Sequence, residues 1–286
     1  MMHSIYAIAS NKESTGKLLS KTERFSVLYH DIFDYPLTFS DLIKWNSSGS
    51  FPIKDFSKSI VCQDGYYFLK GRGSLVYKRV LRNTISAKKL EIAKKASGVL
   101  AIIPGIKMVA VTGSLAMDNA GDESDIDLFI ITGKNLLWIT RILSYSVLKV
   151  FGFDLRKAGG SNKKDNLCLN MWMDETDLIW KRQDRNPYTA HEIAQILPLV
   201  NKNKTYEKFL YKNKWILKFW PNSVRIENCK LKIENSSPRI TLFEKIVYKL
   251  QCLYMKKKIT REVITPTRAI FHPQDWGNYI LSRLNP

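Results

Sequence analysis

Two short groups of residues in the middle of the chain carry the chemical groups that phosphate and metal binding require. The first is Gly113-Ser114, which follows the apolar run 109–112. Glycine lets a ligand approach the backbone closely, and a serine hydroxyl with free N–H groups at a helix start can hold a phosphate. The second group is Ser124-Asp125-Ile126-Asp127, which begins ten residues after Ser114. The spacing predicts a phosphate-binding turn close to a pair of carboxylates.

The two aspartates predict a site for a divalent cation. Positions i and i+2 of a strand face the same side, so the carboxylates of Asp125 and Asp127 project together. Their mutual repulsion costs free energy, and a bound cation removes that cost. Mg²⁺ favours one or two carboxylates together with phosphate oxygens, which is the arrangement that phosphoryl or nucleotidyl transfer needs. The alternative, a surface turn with capping aspartates, suits Asp118 and Asp122 better, because an apolar, β-rich run follows Asp127.

Strands and helices on either side must position these groups. Apolar runs predict strands over 109–112, 126–131 and 166–173. Helices are predicted over 74–103 and 135–151. In the third strand, Asn170 has apolar residues on both sides. It is either a third position of the site or a polar residue satisfied in the core.

The N-terminal part of the chain predicts a small winged-helix-like module. Ser20 and Glu23 have the spacing of a capping box, which opens the first helix. The module's further elements are predicted as helices over 38–45 and 53–60, a strand over 65–69 and a Gly-rich turn over 70–74.

Basic residues of this module allow two kinds of partner. Lys54 and Lys58 are predicted on its recognition helix, and Lys70 and Arg72 on its wing. That pattern is compatible with contacts to DNA or RNA. Winged helices also serve as docking modules for proteins, and the sequence leaves both alternatives open.

From residue 188 onward the pattern is helical and basic, with helices predicted over 190–200, 205–220 and 240–255. Trp215 and Trp220 stand among lysines, an arrangement that suits either stacking on a nucleic-acid strand or core packing with the lysines facing water. We favour core packing. The chain is thus predicted to divide into a tail (1–19), a winged-helix-like module (20–85), a core (86–187) and a basic helical region (188–286).

The composition limits the classes of protein to which the chain can belong. The chain has 286 residues, of which 45% are hydrophobic, enough for a packed core and too many for a disordered protein. The net charge of +19 is uneven: residues 1–100 carry 16 basic and 8 acidic side chains, residues 101–200 carry 11 and 12, and residues 201–286 carry 18 and 6. Basic flanks attract a polyanion. A Lys-rich composition with solvated faces is the alternative.

Several classes are excluded by what the sequence lacks. Four scattered cysteines do not form a disulfide framework, and we interpret them as reduced thiols of a cytoplasmic protein. There is no signal peptide, and the apolar stretch 136–153 contains Arg141 and Lys149, which predicts a core helix rather than a membrane span. The four histidines have no metal-ligand spacing, so each is interpreted as a surface or core residue.

The arrangement Gly113-Ser114, a spacer, then Asp125-Ile126-Asp127 resembles the signature of the polymerase-beta-like nucleotidyltransferase superfamily. The resemblance is greatest to uncharacterised bacterial nucleotidyltransferase-domain proteins with an N-terminal winged-helix-like segment. It extends over most of the chain through the segments 33–38, 168–170, 206–209, Trp215, 221–222 and 272–273.

The resemblance implies an α/β (α+β) nucleotidyltransferase core with a mixed sheet, and attack on the α-phosphate of a nucleoside triphosphate. Gly113 and Ser114 would hold the triphosphate, while Asp125 and Asp127 would ligate Mg²⁺ or Mn²⁺. Many members have a third carboxylate on a neighbouring strand. Here that position carries Asn170, which cannot act as a base; Asp154 and Asp174 lie before and after the strand.

Two functions follow. The first is an enzyme that moves a nucleoside monophosphate from a nucleoside triphosphate to an unidentified acceptor, either a nucleic acid or a protein. The second is a non-catalytic binder of nucleotide or nucleic acid that kept the fold, an alternative that Asn170 favours. The acceptor, the preferred nucleotide and the oligomeric state are open at this stage.

Overall fold

A computed structural model describes residues 19–48, 59–156, 164–226, 241–255, 263–271 and 276–284. The helices in these ranges are α1 (Lys21–Asp31), α2 (Phe39–Lys44), α3 (Ser74–Ala101), α4 (Gly113–Ala116), α5 (Leu137–Val150), α6 (Pro187–Ala194), α7 (Thr205–Lys212), α8 (Leu242–Met255) and α9 (Trp276–Leu284). The strands are β1 (Leu37–Thr38), β2 (Ile60–Gln63), β3 (Tyr66–Leu69), β4 (Ile106–Val111), β5 (Ile126–Thr132), β6 (Leu167–Asp174), β7 (Leu197–Asn201), β8 (Val263–Thr265) and β9 (Arg268–Ile270). Two short 3₁₀ helices span Arg182–Asp184 and Lys214–Lys218.

A six-stranded mixed sheet carries the site. Its strand order is β7-β4-β5-β6-β9-β8. The β5–β6 pair is parallel and is connected by α5, whereas the other pairs in this sheet are antiparallel. β4, β5 and β6 are nearly continuous apolar runs because both faces of the sheet are covered. The predicted mixed sheet flanked by helices is therefore confirmed.

Alternate residues of the central strands belong to two hydrophobic cores. On one face Val109 and Val111 pack with side chains of α3 and α5, including Leu100 and Trp138. On the other face, residues such as Phe129 pack with α6 and α7 and with the N-terminal helix α1. The period of two along each strand directs neighbouring side chains to opposite faces. The N-terminal elements thus share one core with the face of the sheet that α6 and α7 cover.

The N-terminal part begins as predicted. Ser20 and Glu23 form a capping box at α1, and Thr38 and Asp41 form a second one at α2. β1, β3 and β2 then form a three-stranded antiparallel sheet. Ile60, which was expected to end a third helix, instead begins β2. Residues 53–58 of that expected helix, with Lys54 and Lys58, lie outside the described residues, and the winged-helix interpretation stays a prediction.

The expected wing is displaced. The hairpin turn between β2 and β3 is at Asp64-Gly65, whereas residues 70–74 lead from β3 into α3. Arg72, expected on the wing, forms ion pairs with Asp31 at 2.6 Å and with Asp34. Its guanidinium therefore anchors this turn to α1 and to the turn that follows α1.

The C-terminal part corrects the prediction of a helix over 190–200. α6 ends at Ala194, and residues 197–201 form the edge strand β7, paired with β4. Pro198 explains the change, since proline cannot donate the helical hydrogen bond and is tolerated on an edge strand. β7, β8 and β9 all join the central sheet, which therefore crosses the predicted boundary at residue 188. The division of the chain into four segments stays a prediction.

Two further expectations concern packing. Trp215 and Trp220 are both buried, which confirms the core-packing interpretation of the aromatic residues in this region. The helix predicted over 205–220 is shorter: α7 ends at Lys212, and a 3₁₀ helix follows.

The buried residues of α5 include Leu137, Trp138 and Leu148. In the described ranges no helix combines the length and the apolarity that crossing a membrane demands.

Candidate active site

The predicted site residues meet in one cavity, which we call the site cavity. It has a volume of about 450 Å³ and lies where β4 ends and β5 begins, beside Asn170 in the middle of β6. Gly113 and Ser114 open α4 directly after β4, and the adjoining strand begins just after Asp125. The structure brings to this cavity the five predicted residues Gly113, Ser114, Asp125, Asp127 and Asn170.

The two aspartates lie side by side. Ligand atoms of Asp125, Asp127 and Cys168 are all within 4.8 Å of one another. Cys168 joins them because the parallel register of β5 and β6 sets it opposite Asp127. Burial and the neighbouring charge of Asp125 raise the pKa of Asp127 to about 7. The site therefore holds concentrated negative charge that a cation would relieve.

Asp125 has a basic partner that the sequence did not indicate. Nη1 of Arg156 donates to Oδ2 of Asp125 at 2.7 Å and lies 3.6 Å from Sγ of Cys168. Asp125 is 7% exposed, so this ion pair offsets much of the cost of burying its charge. Burial raises the pKa of the Cys168 thiol. Arg156 belongs to the connection between β5 and β6 and lies 31 residues after Asp125. No local sequence pattern links two residues so far apart.

Gly113 is required by the close approach of Asp127. Its φ is +63°, in the left-handed region that favours glycine. A Cβ atom at this position would lie 2.9 Å from Oδ2 of Asp127, which is closer than real Cβ contacts. The phosphate-binding turn and the carboxylate pair, predicted separately, are therefore in direct contact.

Asn170 occupies the third position beside the pair. Its Nδ2 donates to Oδ1 of Asp127 at 2.7 Å, and its own Oδ1 is buried without a hydrogen-bond partner among the described residues. Neither Asp154 nor Asp174 lines the site cavity. Asp174 stands at the far end of β6, where it accepts a hydrogen bond from the backbone N–H of Asn135 at 2.6 Å. No carboxylate of this strand or its approach therefore replaces Asn170.

One face of α6 closes the site cavity opposite the sheet. The cavity-lining side chains of this helix have the spacing i, i+3, i+4 and i+7, and they are Tyr188, His191, Glu192 and Gln195. Nε2 of Gln195 donates to Oε1 of Glu192 at 2.8 Å and to the carbonyl oxygen of Gly113 at 3.4 Å. Sequence reasoning missed these residues, although their helical spacing was a signal that could have found them.

The N-terminal elements supply the remaining wall. His30 of α1 lines the site cavity, and its Nε2 lies 3.0 Å from Nε2 of His191. The ring of Trp45 stacks on His191 with centroids 3.9 Å apart. Both histidines are buried, which confirms that they are core residues; His3 and His272 lie outside the described residues.

The chain belongs to the nucleotidyltransferase domain family, whose model matches residues 91–249, more than half of its length. That range contains the five predicted site residues. No curated protein and no solved structure matches the chain.

The donor set fits a divalent cation. Carboxylates and amide oxygens are hard donors of the kind that Mg²⁺ and Mn²⁺ take. Asp125 and Asp127 supply two carboxylates, and Asn170 holds Asp127 in place by a hydrogen bond from its side-chain amide. The thiol of Cys168 is a softer ligand and contributes less to such a site.

Proposed function

We propose that the protein transfers a nucleoside monophosphate from a nucleoside triphosphate to an acceptor hydroxyl, with Mg²⁺ or Mn²⁺ held by Asp125 and Asp127. The observation that carries the proposal is the contact between Gly113 and Asp127. It joins a turn suited to phosphate and a pair of neighbouring carboxylates in one cavity. The family match gives the same general class of reaction.

On the donor side, Gly113 and Ser114 bind the triphosphate through the backbone and the hydroxyl group. The cation, when bound, neutralises phosphate oxygens and activates the α-phosphate toward attack. The acceptor oxygen then bonds to the α-phosphorus, the bond between this phosphorus and the bridging oxygen breaks, and pyrophosphate leaves. Asn170 orients Asp127 through its 2.7 Å hydrogen bond.

The proposed kind of acceptor follows from the distribution of charge along the chain. Residues 1–100 and 201–286 carry the whole basic excess, while residues 101–200, which contain the five site residues, are close to neutral. A nucleic acid, or a protein docked on the N-terminal winged-helix-like module, is the acceptor that these flanks suit.

Label transfer tests the proposal. Purified protein is incubated with α-labelled nucleoside triphosphates, Mg²⁺ or Mn²⁺, and cellular RNA or lysate. We expect label on an acceptor, and its loss in Asp127→Asn. Asp122→Asn is the matched control, because Asp122 is exposed and pairs with Lys164 at the surface; it should keep wild-type transfer.

A second candidate is a nucleotide or nucleic-acid binder without catalysis, favoured by Asn170 in the third position. Metal-dependent binding of triphosphate with no label transfer to any RNA or protein would select it. Absence of both binding and transfer would reject both functions.

A further inference from the structure

Glu192 is a third carboxylate of the site cavity, on a different element from the aspartate pair. Among the described residues that line the cavity, the acidic ones are Asp125, Asp127 and Glu192. The first two belong to β5 and its approach, whereas Glu192 projects from α6. A group between these walls would have the cation site on one side and Glu192 on the other.

The carboxylate of Glu192 is held close to the phosphate-binding turn. Oε1 accepts a hydrogen bond of 2.8 Å from Gln195, whose amide nitrogen also lies 3.4 Å from the carbonyl oxygen of Gly113. Gly113 in turn contacts Asp127. Through its contacts with both groups, Gln195 therefore links Glu192 to the turn at Gly113, where the triphosphate is proposed to bind.

A purely structural role does not account for a carboxylate here. A glutamine would accept the same hydrogen bond from Gln195 without a charge. No salt bridge neutralises Glu192 in the part of the chain that the structure describes. Glu192 is partly buried, and a carboxylate withdrawn from water without a cationic partner lowers the stability of the fold. Burial and the charge of Asp127 raise the pKa of Glu192 to about 7, which suits a group that exchanges a proton near neutral pH.

We infer that Glu192 accepts the proton of the acceptor hydroxyl, the task that Asn170 cannot perform. This inference rests on the proposed function. The acceptor O–H bond breaks and its proton moves to a carboxylate oxygen of Glu192. The acceptor oxygen bonds to the α-phosphorus, and the electron pair of the broken phosphorus–oxygen bond leaves with pyrophosphate.

The test compares transfer with nucleotide binding in Glu192→Gln. The variant keeps the size of the side chain and its acceptor for Gln195. We expect kcat to fall by roughly 100-fold or more, the range of a lost general base. Calorimetry with Mg²⁺ and a non-hydrolysable triphosphate should give a Kd within about threefold of wild type. Glu91→Gln is the matched control, since Glu91 is exposed on α3 and pairs with Lys94.

The outcomes distinguish a failure of the proposed function from a failure of the role of Glu192. A wild-type protein that transfers no label to any acceptor rejects the proposed function. An active wild type with a Glu192→Gln variant of similar kcat rejects the role of Glu192 alone, as does a variant that loses nucleotide binding together with transfer. If Glu192→Gln does not fold, Glu192→Ala carries the test: it removes the carboxylate altogether, and unchanged kcat would overturn the inference.

Discussion

A Cβ atom on Gly113 would lie 2.9 Å from Oδ2 of Asp127. Gly113→Ala therefore adds a methyl group against a half-buried carboxylate and forces alanine into a left-handed conformation at φ +63°. We expect the variant to lose about 1–3 kcal/mol of stability from the backbone alone. We also expect label transfer to fall at least tenfold, because Asp127 must move. Urea unfolding and label-transfer rates measure the two effects.

Gly152→Ala separates backbone strain from the contact. Gly152 also has a positive φ, +79°, but a Cβ atom there meets nothing within 4 Å. It should lose a similar amount of stability and keep its rate of transfer. Equal rates in Gly113→Ala and Gly152→Ala would show that the contact with Asp127 is unimportant for the reaction.

The buried pair His30 and His191 predicts acid sensitivity of the fold. Burial lowers the pKa of His30 from 6.5 to about 4, with smaller contributions from Arg79 and Lys44 that lower it and from Asp41 that raises it. Burial also lowers the pKa of His191. Between these pH values the unfolded chain binds more protons than the folded one, so stability increases with pH and is lost as the pH falls from 6.5 towards 4.

The size of this effect can be measured. His30 alone should cost about 2 kcal/mol between pH 7.5 and pH 5, at 1.36 kcal/mol per pKa unit. Urea unfolding of the wild type and of His30→Gln at both pH values tests it, because glutamine cannot titrate. A wild type and variant with the same pH slope would contradict the prediction.

Local patterns sufficed for the three central strands and for the paired aspartates. Apolar runs define β4, β5 and β6 because these strands are buried on both faces, and the i, i+2 spacing sets Asp125 and Asp127 together whatever the tertiary fold. The capping box of Ser20 and Glu23 is equally local. Such features depend on residues a few positions apart, which the sequence displays directly.

Contacts between distant segments could not be predicted in this way. The pair His30–His191 joins residues 161 positions apart, and Glu192 reaches the site only because α6 packs over the sheet. Arg156 meets Asp125 because its neighbour Leu155 forms a bridge with Leu167 of β6, which pairs in turn with Ile126 of β5. The edge strand β7 is short and closely follows α6, so its apolar residues resemble the end of that helix until the partner strand is known. Pro198 is the local signal against a helix.

We predict that Lys89 positions Asp125 indirectly, by holding the loop that precedes it. Its side chain is 2% exposed, and the ammonium group donates to the carbonyl oxygens of Asp122 and Ser124, at 2.9 and 2.8 Å, and to Asp165 at 2.7 Å. It thereby fixes the loop that ends at Asp125. Lys89→Met leaves these acceptors unsatisfied, and we expect a loss of about 2–4 kcal/mol.

Because this loop ends at Asp125, Lys89→Met should also weaken the cation site. We expect Lys89→Met to bind the Mg²⁺–triphosphate complex at least tenfold more weakly at a temperature where it remains folded. Lys88→Met is the control, because the neighbouring Lys88 is exposed. Calorimetry and urea unfolding supply both measurements, and wild-type affinity in Lys89→Met would contradict the positioning role.

Asp127→Asn should raise stability while it removes the response to metal. The pKa of Asp127 is raised from 3.8 to about 7, so above pH 7 its ionised form destabilises the metal-free fold. Replacing it at pH 8 should stabilise that fold by about 1–4 kcal/mol, the upper value being the whole pKa difference converted. The Asn170 amide still has a partner, because an asparagine at position 127 presents an acceptor oxygen.

Thermal unfolding with and without ligands completes this test. Mg²⁺ together with a non-hydrolysable triphosphate stabilises any fold that binds it, by an amount that grows with the logarithm of ligand concentration. The Tm of the wild type and of Asp122→Asn should rise on addition, and the Tm of Asp127→Asn should not. A variant that is less stable than wild type without metal, yet still responds to it, would mean that Asp127 supports the fold and takes no part in binding the cation.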